Sequence, residues 1–208
     1  SPATPALIDA ADDFTWGQVR MLSDPPGKIS GDAAEATLLL PQLLAALAPI
    51  RRRLLLVSAY FIPTRDWAHL LGALAGQGVR VEALTNSLIS SDVALVHAWY
   101  APWRRRLLAA GIRLWEMRGA AGDRVTLGLV PRRLRRRPDA TSFFRASASA
   151  LHAKTLIADG RWLFVGSMNL DPRSWRLNTE LGFLIDAPAL AGRLEAALDE
   201  GLPRFAWA

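Results

Sequence analysis

The sequence predicts an α/β domain, with a mixed, mostly parallel sheet flanked by helices and an antiparallel hairpin near its carboxyl end. Apolar runs of strand length alternate with helical patterns between residues 33 and 117, as in a parallel sheet. Asp159-Gly160 separates two apolar runs, which is typical of a tight hairpin turn. Hydrophobic residues are 51% and charged residues 21% of the 208, which favours one folded core over disorder.

The first 31 residues form a lead-in segment, and residues 32–208 are expected to form one domain. The lead-in is rich in Asp, Pro, Ala and Gly, and its alternating stretch Trp16–Leu22 predicts an edge strand. After it, helices and strands are expected to alternate. Their ranges are helix Ala33–Leu47 disturbed at Pro41, strand Leu54–Ser58, helix Asp66–Ala75, strand Val79–Leu84, helix Asp92–Ala109 interrupted at Pro102, and strand Ile112–Met117.

Residues 118–146 break this pattern with several glycines and a cluster of arginines at 132–137, which predicts a long basic surface loop. The pattern then resumes. The expected elements are strands Leu151–Ala158, Arg161–Val165 and Thr179–Ile185, followed by a helix from Pro188 to about Glu200.

The composition restricts the chemistry. The absence of cysteine excludes disulfides, cysteine nucleophiles and thiolate metal sites. No apolar run reaches the ~20 residues of a membrane-spanning helix, and no signal peptide is visible. A net charge of +6 and a pI of about 10.8 favour anionic partners. Only two of the 25 basic residues are lysines, Lys28 and Lys154, and this bias hints at a use for a compact ammonium group at such positions.

Polar residues interrupt the apolar strands on both sides of the hairpin turn. A two-residue turn at Asp159-Gly160 pairs residue 158 with residue 161, so His152 is expected opposite Ser167. Period-two alternation then places Lys154 and Asn169 on the same face. Asp159 has the opposite parity and is expected to be structural.

This set of side chains suits phosphodiester chemistry. An imidazole can attack phosphorus or transfer a proton, an ammonium can neutralise a phosphate, and hydroxyl and amide groups can hold its oxygens. A Ser-His-Asp hydrolase fits worse, because no G-x-S-x-G elbow is present. Three scattered histidines without clustered carboxylates also fit a metal site poorly.

His152-Ala-Lys154, Asp159 and the Gly166-Ser167-Met168-Asn169 stretch resemble the HxKxxxxD and GSxN signature of the phospholipase D superfamily. The surrounding sequence is similar to the C-terminal half of bacterial cardiolipin synthases of the C type. The similar stretches are 24–28, 58–63, 85–88, 92–100, 169–174 and 178–180. Ala59 departs from the family, which usually has Pro there.

The resemblance implies a phospholipase D-like fold and a mechanism without metal or other cofactor. One histidine attacks phosphorus to form a phosphohistidine, and a second histidine protonates the leaving alcohol. Neither His69 nor His97 begins an HxK motif, so the second half-site is expected before Ser1 or from a second copy of the chain. In the C-terminal half, His152 would be the acid/base more often than the nucleophile.

The resemblance also implies that Glu180 holds the imidazole tautomer and that Gly166 is structural. Ser58, Tyr60 and Asn86 are substrate-binding candidates, since they lie at the predicted carboxyl ends of parallel strands.

Three functions remain open. The first is transfer or hydrolysis of phosphatidyl groups at the surface of the bacterial cell membrane, with the 132–137 arginines touching anionic lipid. The second is a nuclease that dimerises to complete its site, which the basic charge would suit. The third is a non-catalytic half that binds an anionic headgroup or a partner subunit.

Overall fold

The computed structural model describes residues 15–91, 93–118 and 151–208, which form eight strands in one sheet. The sheet order is β1-β7-β6-β5-β2-β3-β4-β8. The strands are β1 (Gln18–Ser23), β2 (Arg53–Ser58), β3 (Arg80–Asn86), β4 (Arg113–Met117), β5 (Lys154–Ala158), β6 (Trp162–Gly166), β7 (Leu181–Asp186) and β8 (Ala206–Trp207).

Seven α-helices lie between these strands in the described residues. They are α1 (Gly27–Ser30), α2 (Leu39–Leu47), α3 (Arg65–Gly76), α4 (Ala94–Tyr100), α5 (Arg104–Ala109), α6 (Pro172–Arg176) and α7 (Pro188–Phe205). Two 3₁₀ turns, Glu35–Thr37 and Ala101–Trp103, precede α2 and α5. None of these helices is long and apolar enough to cross a membrane.

The α/β class is confirmed, but the expectation of a mostly parallel sheet is wrong. Among the described strands, only β2–β3 and β3–β4 pair in parallel, and the five other pairs are antiparallel. The parallel strands are those joined by crossover helices, as their alternation with helical sequence indicated. Strand β5 pairs antiparallel with β2, and β6, β7 and β1 follow on that side of the sheet, each antiparallel to its neighbour.

Both faces of the central strands are covered. Every residue of β2 is buried. Leu54 and Leu56 pack into a cluster with residues of α2 and α3, while Leu55 and Val57 pack into a second cluster with α7. A strand buried on both sides carries a continuous apolar run rather than an alternating one, which explains why the sequence of β2 predicts a buried strand.

Prolines mark the places where two of the predicted helices begin or divide. The helix expected from Ala33 begins at Leu39, with Pro41 in its first turn, where no backbone donor is lost. The helix expected over residues 92–109 divides into α4 and α5 around Pro102, as predicted. Helix α7 extends beyond Glu200 to Phe205. The predicted basic loop lies almost wholly in residues 119–150, outside the described residues.

Candidate active site

The signature residues lie on the β5–β6 hairpin, but the predicted register is wrong by one residue. Asp159 and Gly160 both adopt the positive φ that the tight turn requires, 56° and 63°. Ala158 nevertheless pairs with Trp162 and Thr155 with Val165, because Arg161 remains in the turn as an extra residue. Its backbone N–H donates to the carbonyl oxygen of Ala158 at 3.0 Å. A one-residue shift exchanges the faces of a strand, so His152 is not the direct cross-strand partner of Ser167.

The four polar residues instead lie at the open end of the hairpin, away from the Asp159 turn. His152 precedes β5 by two residues and its side chain is exposed. Lys154 is the first residue of β5, and its Nζ donates to the carbonyl oxygen of His152 at 2.9 Å. Ser167 follows β6 directly and is exposed, and Asn169 is half-buried two residues further on. Their proximity therefore depends on how the segments beyond the paired strands are held.

Two of the predicted substrate-binding residues hold these segments. The side-chain amide of Asn86 donates to the carbonyl oxygens of Leu151 at 3.0 Å and Ala59 at 3.1 Å, and its oxygen accepts from the N–H of Leu151 at 2.9 Å. The hydroxyl of Ser58 donates to the carbonyl oxygen of Tyr60 at 2.7 Å and accepts from the N–H of Leu170 at 3.1 Å.

Asn86 and Ser58 are thus bonded to the neighbours of His152 and Asn169. Asn86 is 4% and Ser58 1% exposed. We therefore expect both to act by positioning the main chain rather than by touching substrate. Tyr60 is half-buried beside them, and its substrate contact stays a prediction.

Glu180 contacts Ser167, the residue that supplies the hydroxyl group of the signature. The Ser167 hydroxyl donates to Oε2 of Glu180 and accepts from the N–H of Leu181 at 3.1 Å. The other oxygen of Glu180 accepts from the amide of Asn178 at 3.3 Å. Glu180 is 7% exposed, so it is a buried acceptor for the serine. That it also holds the His152 imidazole stays a prediction.

Asn169 is held through its main chain. Its N–H donates to the hydroxyl of Ser174 at 3.2 Å, and its side-chain oxygen is buried without a hydrogen-bond partner among the described residues. Ser174 lies on α6, whose N-cap Asp171 accepts from the N–H groups of Arg173 and Ser174. An unpartnered buried amide oxygen is costly in a folded protein, which is consistent with a position reserved for a ligand or for another part of the polypeptide.

Asp159 lies in the turn and faces the main chain of the segment before β2. Its carboxylate accepts from the N–H groups of Arg51, Arg52 and Arg53 at 2.8 to 2.9 Å. Burial acts to raise the pKa of Asp159, but these hydrogen bonds and the charge of Arg52 outweigh it, so the pKa lies below the usual value. These contacts agree with a structural role.

We expect Asp159→Asn to lower the free energy of unfolding by ~1–3 kcal/mol at pH 6, because hydrogen bonds to a charged acceptor are lost. Asparagine tolerates the positive φ at this position. Since the folded pKa is depressed, the carboxylate contribution is complete above about pH 4 and is lost as the pH falls through the folded value. Urea unfolding at pH 6 and pH 3 should show the two proteins converging at low pH, and a difference that is independent of pH would contradict this.

Gly166 lies where the backbones of β6 and β7 approach closely. A Cβ at this position would lie 2.6 Å from the carbonyl oxygen of Leu181 and 2.9 Å from Cζ of Phe164. We expect Gly166→Ala to destabilise the fold by roughly 1–3 kcal/mol through overpacking. Gly192→Ala is the matched control, because a Cβ on that helical residue meets nothing within 4 Å. Thermal unfolding of both variants tests this, and equal stability in the two would argue against a structural role for Gly166.

The other two histidines have different surroundings. His69 is exposed on α3. His97 is 7% exposed on α4, and its Nε2 lies 3.0 Å from Nη2 of Arg104, which also binds Glu116. Burial and the Arg104 charge lower the pKa of His97. The Nε2 of His97 thus faces a guanidinium, and its place outside the catalytic set stays a prediction.

Sequence reasoning did not assign roles to Asp24, Lys28 and Ser174. The scarcity of lysine singles out Lys28, but it does not indicate what the ammonium binds. Ser174 lies in the stretch 169–174 that resembles the family, but that resemblance does not indicate that its hydroxyl accepts from the N–H of Asn169.

The fold and the signature at the open end of the hairpin define a phospholipase D-like domain. The chain belongs to the family described as "Cardiolipin synthase, PLD-like domain", whose family model matches residues 43–201. It is 36% identical over 207 residues to cardiolipin synthase C of Escherichia coli strain K12, covering all of this chain and 41% of that protein. It is 29% identical over 175 residues to cardiolipin synthase A of Citrobacter koseri, covering 84% of this chain and 30% of that protein.

Solved structures with low sequence identity share the fold. Nuc, a phospholipase D family member from Salmonella typhimurium, matches with a TM-score of 0.60 at 16% identity, covering 92% of this chain and 97% of that one. Phosphatidylserine synthase from Haemophilus influenzae Rd KW20 matches with a TM-score of 0.61 at 17% identity, covering 93% and 40%. The chain spans less than half the length of the cardiolipin synthases that it matches.

Proposed function

We propose that this chain supplies one half-site of a phosphatidyl-transferring enzyme, in which His152 and Lys154 act directly on a phosphodiester. The observation that carries the proposal is the exposed His152, whose main-chain carbonyl oxygen accepts from the Lys154 ammonium, at the end of the hairpin where Ser167 and Asn169 also lie. The family membership supports a phospholipid substrate.

The proposed reaction breaks the ester bond between phosphorus and the headgroup oxygen. One imidazole forms a bond to phosphorus, and the other gives its proton to the leaving alkoxide. The acceptor hydroxyl then attacks phosphorus, its proton passes to the second imidazole, and the bond from phosphorus to the first imidazole breaks. Lys154 and the Asn169 amide would stabilise the charge on the non-bridging oxygens. His152 fits either role.

The second imidazole would come from another half-site. His97 is bonded to Arg104, and His69 is on α3 without the lysine two residues later that accompanies His152. We therefore propose a second HxK motif, either elsewhere in the same polypeptide or on a second copy of this chain. The length of the cardiolipin synthases relative to this chain favours the first source.

The proposed location is the surface of an anionic membrane. The net charge of +6 supports it, because each basic residue near such a surface contributes about 1 kcal/mol of attraction. The 132–137 arginines that would touch the bilayer lie outside the described residues.

Two other functions are kept as outcomes of the test. A dimeric nuclease would use the same side chains on DNA, and the basic charge would suit that polymer. A non-catalytic half would bind an anionic headgroup without turnover.

The test offers the intact polypeptide two substrates, phosphatidylglycerol vesicles and DNA, each with and without EDTA. We expect release of glycerol and formation of a lipid with two phosphatidyl groups, unchanged by EDTA. DNA cleavage without lipid turnover would support the nuclease. Vesicle binding without turnover of either substrate would support the non-catalytic half, and sedimentation would show whether a dimer forms.

A further inference from the structure

A buried ion pair joins the lead-in segment to the signature residues. Nζ of Lys28 lies 2.6 Å from Oδ2 of Asp24, and their side chains are 4% and 0% exposed. Asp24 follows β1 directly, and Lys28 lies on the short helix α1. Burying two charges removes their hydration, and their attraction offsets that loss only when the geometry and the remaining hydrogen bonds are favourable. The other contacts of the pair therefore indicate what it does.

Asp24 holds the backbone of Glu180. Its carboxylate oxygen Oδ2 accepts from the N–H of Glu180 at 3.0 Å, and its own N–H donates to the carbonyl oxygen of Glu180 at 2.9 Å. Its second oxygen accepts from the N–H of Leu39 at 2.8 Å, at the start of α2. Glu180 is thus fixed on both sides of its Cα, while its side chain accepts from the Ser167 hydroxyl.

Lys28 is linked to Asn169, the second signature residue on the β6 side of the hairpin. Its ammonium donates to the carbonyl oxygen of Ser174 at 2.9 Å, and the Ser174 hydroxyl accepts from the N–H of Asn169. The ion pair is therefore linked to Ser167 by way of Glu180. It is linked to Asn169 by way of Ser174. A compact ammonium with several donors can bind a carboxylate and a carbonyl in this buried space, whereas the planar guanidinium of arginine has a different shape.

We propose that Asp24 and Lys28 are positioning residues, which set Ser167 and Asn169 relative to the phosphodiester held by His152 and Lys154. That this positioning affects catalysis rests on the proposed function. That the two residues hold the signature rests on the hydrogen bonds described above. The lead-in then belongs to the active-site assembly, although neither of its charged residues touches substrate.

Lys28→Met tests the proposal in the intact polypeptide, at a temperature where circular dichroism shows it fully folded. We expect kcat to fall about tenfold or more while KM changes less than about threefold, because misplaced groups lose contacts made in the transition state. We also expect amide hydrogen exchange at Glu180 and Asn169 to accelerate about tenfold, with Leu55 in β2 unchanged. Arg161→Met is the matched control, because it removes an exposed ion pair with Asp186 on β7 and should change neither readout.

The double variant Asp24→Asn/Lys28→Met addresses the case in which the single variant does not fold, since it leaves no unpaired buried charge. We expect it to fold with kcat still reduced. A wild-type kcat in either folded variant would overturn the inference, as would exchange that accelerates equally at Leu55. If the unmodified polypeptide turns over neither lipid nor DNA, the proposed function fails, and hydrogen exchange still decides whether the pair positions the signature.

Discussion

We expect His152→Ala to reduce the turnover of phosphatidylglycerol by the intact polypeptide roughly 1,000-fold or more. Loss of a general acid or base alone lowers the rate ~100- to 10,000-fold, and loss of a nucleophile stops the covalent route. The exposed ring at the open end of the hairpin is not part of either core cluster. The substitution should therefore leave the unfolding temperature within a few degrees of that of the unmodified protein.

His69→Ala is the matched control, because that histidine is also exposed and lies on α3. Its rate should equal that of the unmodified protein. The test is to measure initial rates at saturating lipid for the unmodified protein and for the His152 and His69 variants. Equal rates for the His152 and His69 variants would contradict the assignment of the signature as the reacting site.

We expect Arg53→Met to lower the free energy of unfolding by roughly 3–5 kcal/mol, which is typical when one partner of a buried ion pair is removed. Arg53 donates to Oε2 of Glu82 at 2.9 Å and to both carboxylate oxygens of Asp199 at 2.7 and 2.8 Å. Glu82 is completely buried. Equilibrium unfolding in urea at pH 7 measures the loss.

Arg80→Met is the control for this prediction. Arg80 also binds Glu82, at 2.8 Å, but 47% of its side chain is exposed, so its removal should change stability by less than about 1 kcal/mol. The Arg53 hydrogen bonds lower the pKa of Asp199, so part of the Arg53 effect should disappear as the pH falls below about 4. A similar loss for the two arginine variants would contradict the role given to burial.

The local pattern predicted most helices and strands correctly, but it did not predict how strands from the two halves of the chain pair. The alternation in residues 33–117 correctly indicated the crossovers that make β2, β3 and β4 parallel. The antiparallel contact of β5 with β2, and of β7 with β1, joins segments about 100 or more residues apart. No local periodicity encodes that choice, because side chains alternate equally in both kinds of ladder.

At the site, too, features encoded by neighbouring residues were predicted, and a feature that depends on distant residues was not. The spacing of His152, Lys154, Ser167 and Asn169 identified the candidate residues, and the turn at Asp159-Gly160 located the hairpin. The register was wrong because a two-residue turn does not reveal that Arg161 stays outside the ladder. Its guanidinium binds Asp186 at 2.6 Å and lies over the Trp162 ring, and these contacts depend on the tertiary structure.

The contacts that hold the signature segments were harder to predict. Asn86 and Ser58 appeared as substrate contacts because they end parallel strands, where ligands usually bind. In the fold the two side chains are turned to the main chain of Leu151 and Leu170. The Asn86 bond spans 65 residues and the Ser58 bond spans 112, and no pattern in a single sequence predicts hydrogen bonds between segments so far apart.

The central claim is that His152, Lys154 and Asn169 hold one phosphodiester, and the binding of orthovanadate to the intact polypeptide tests it most directly. We expect NMR signals of the His152 ring to shift in a saturable way, with those of His69 unchanged. In Lys154→Met the affinity for orthovanadate should fall about tenfold or more relative to the unmodified protein, because an ammonium no longer neutralises the anion. Saturation at His152 with the same affinity in both proteins, or no shift at His152 at all, would contradict the claim.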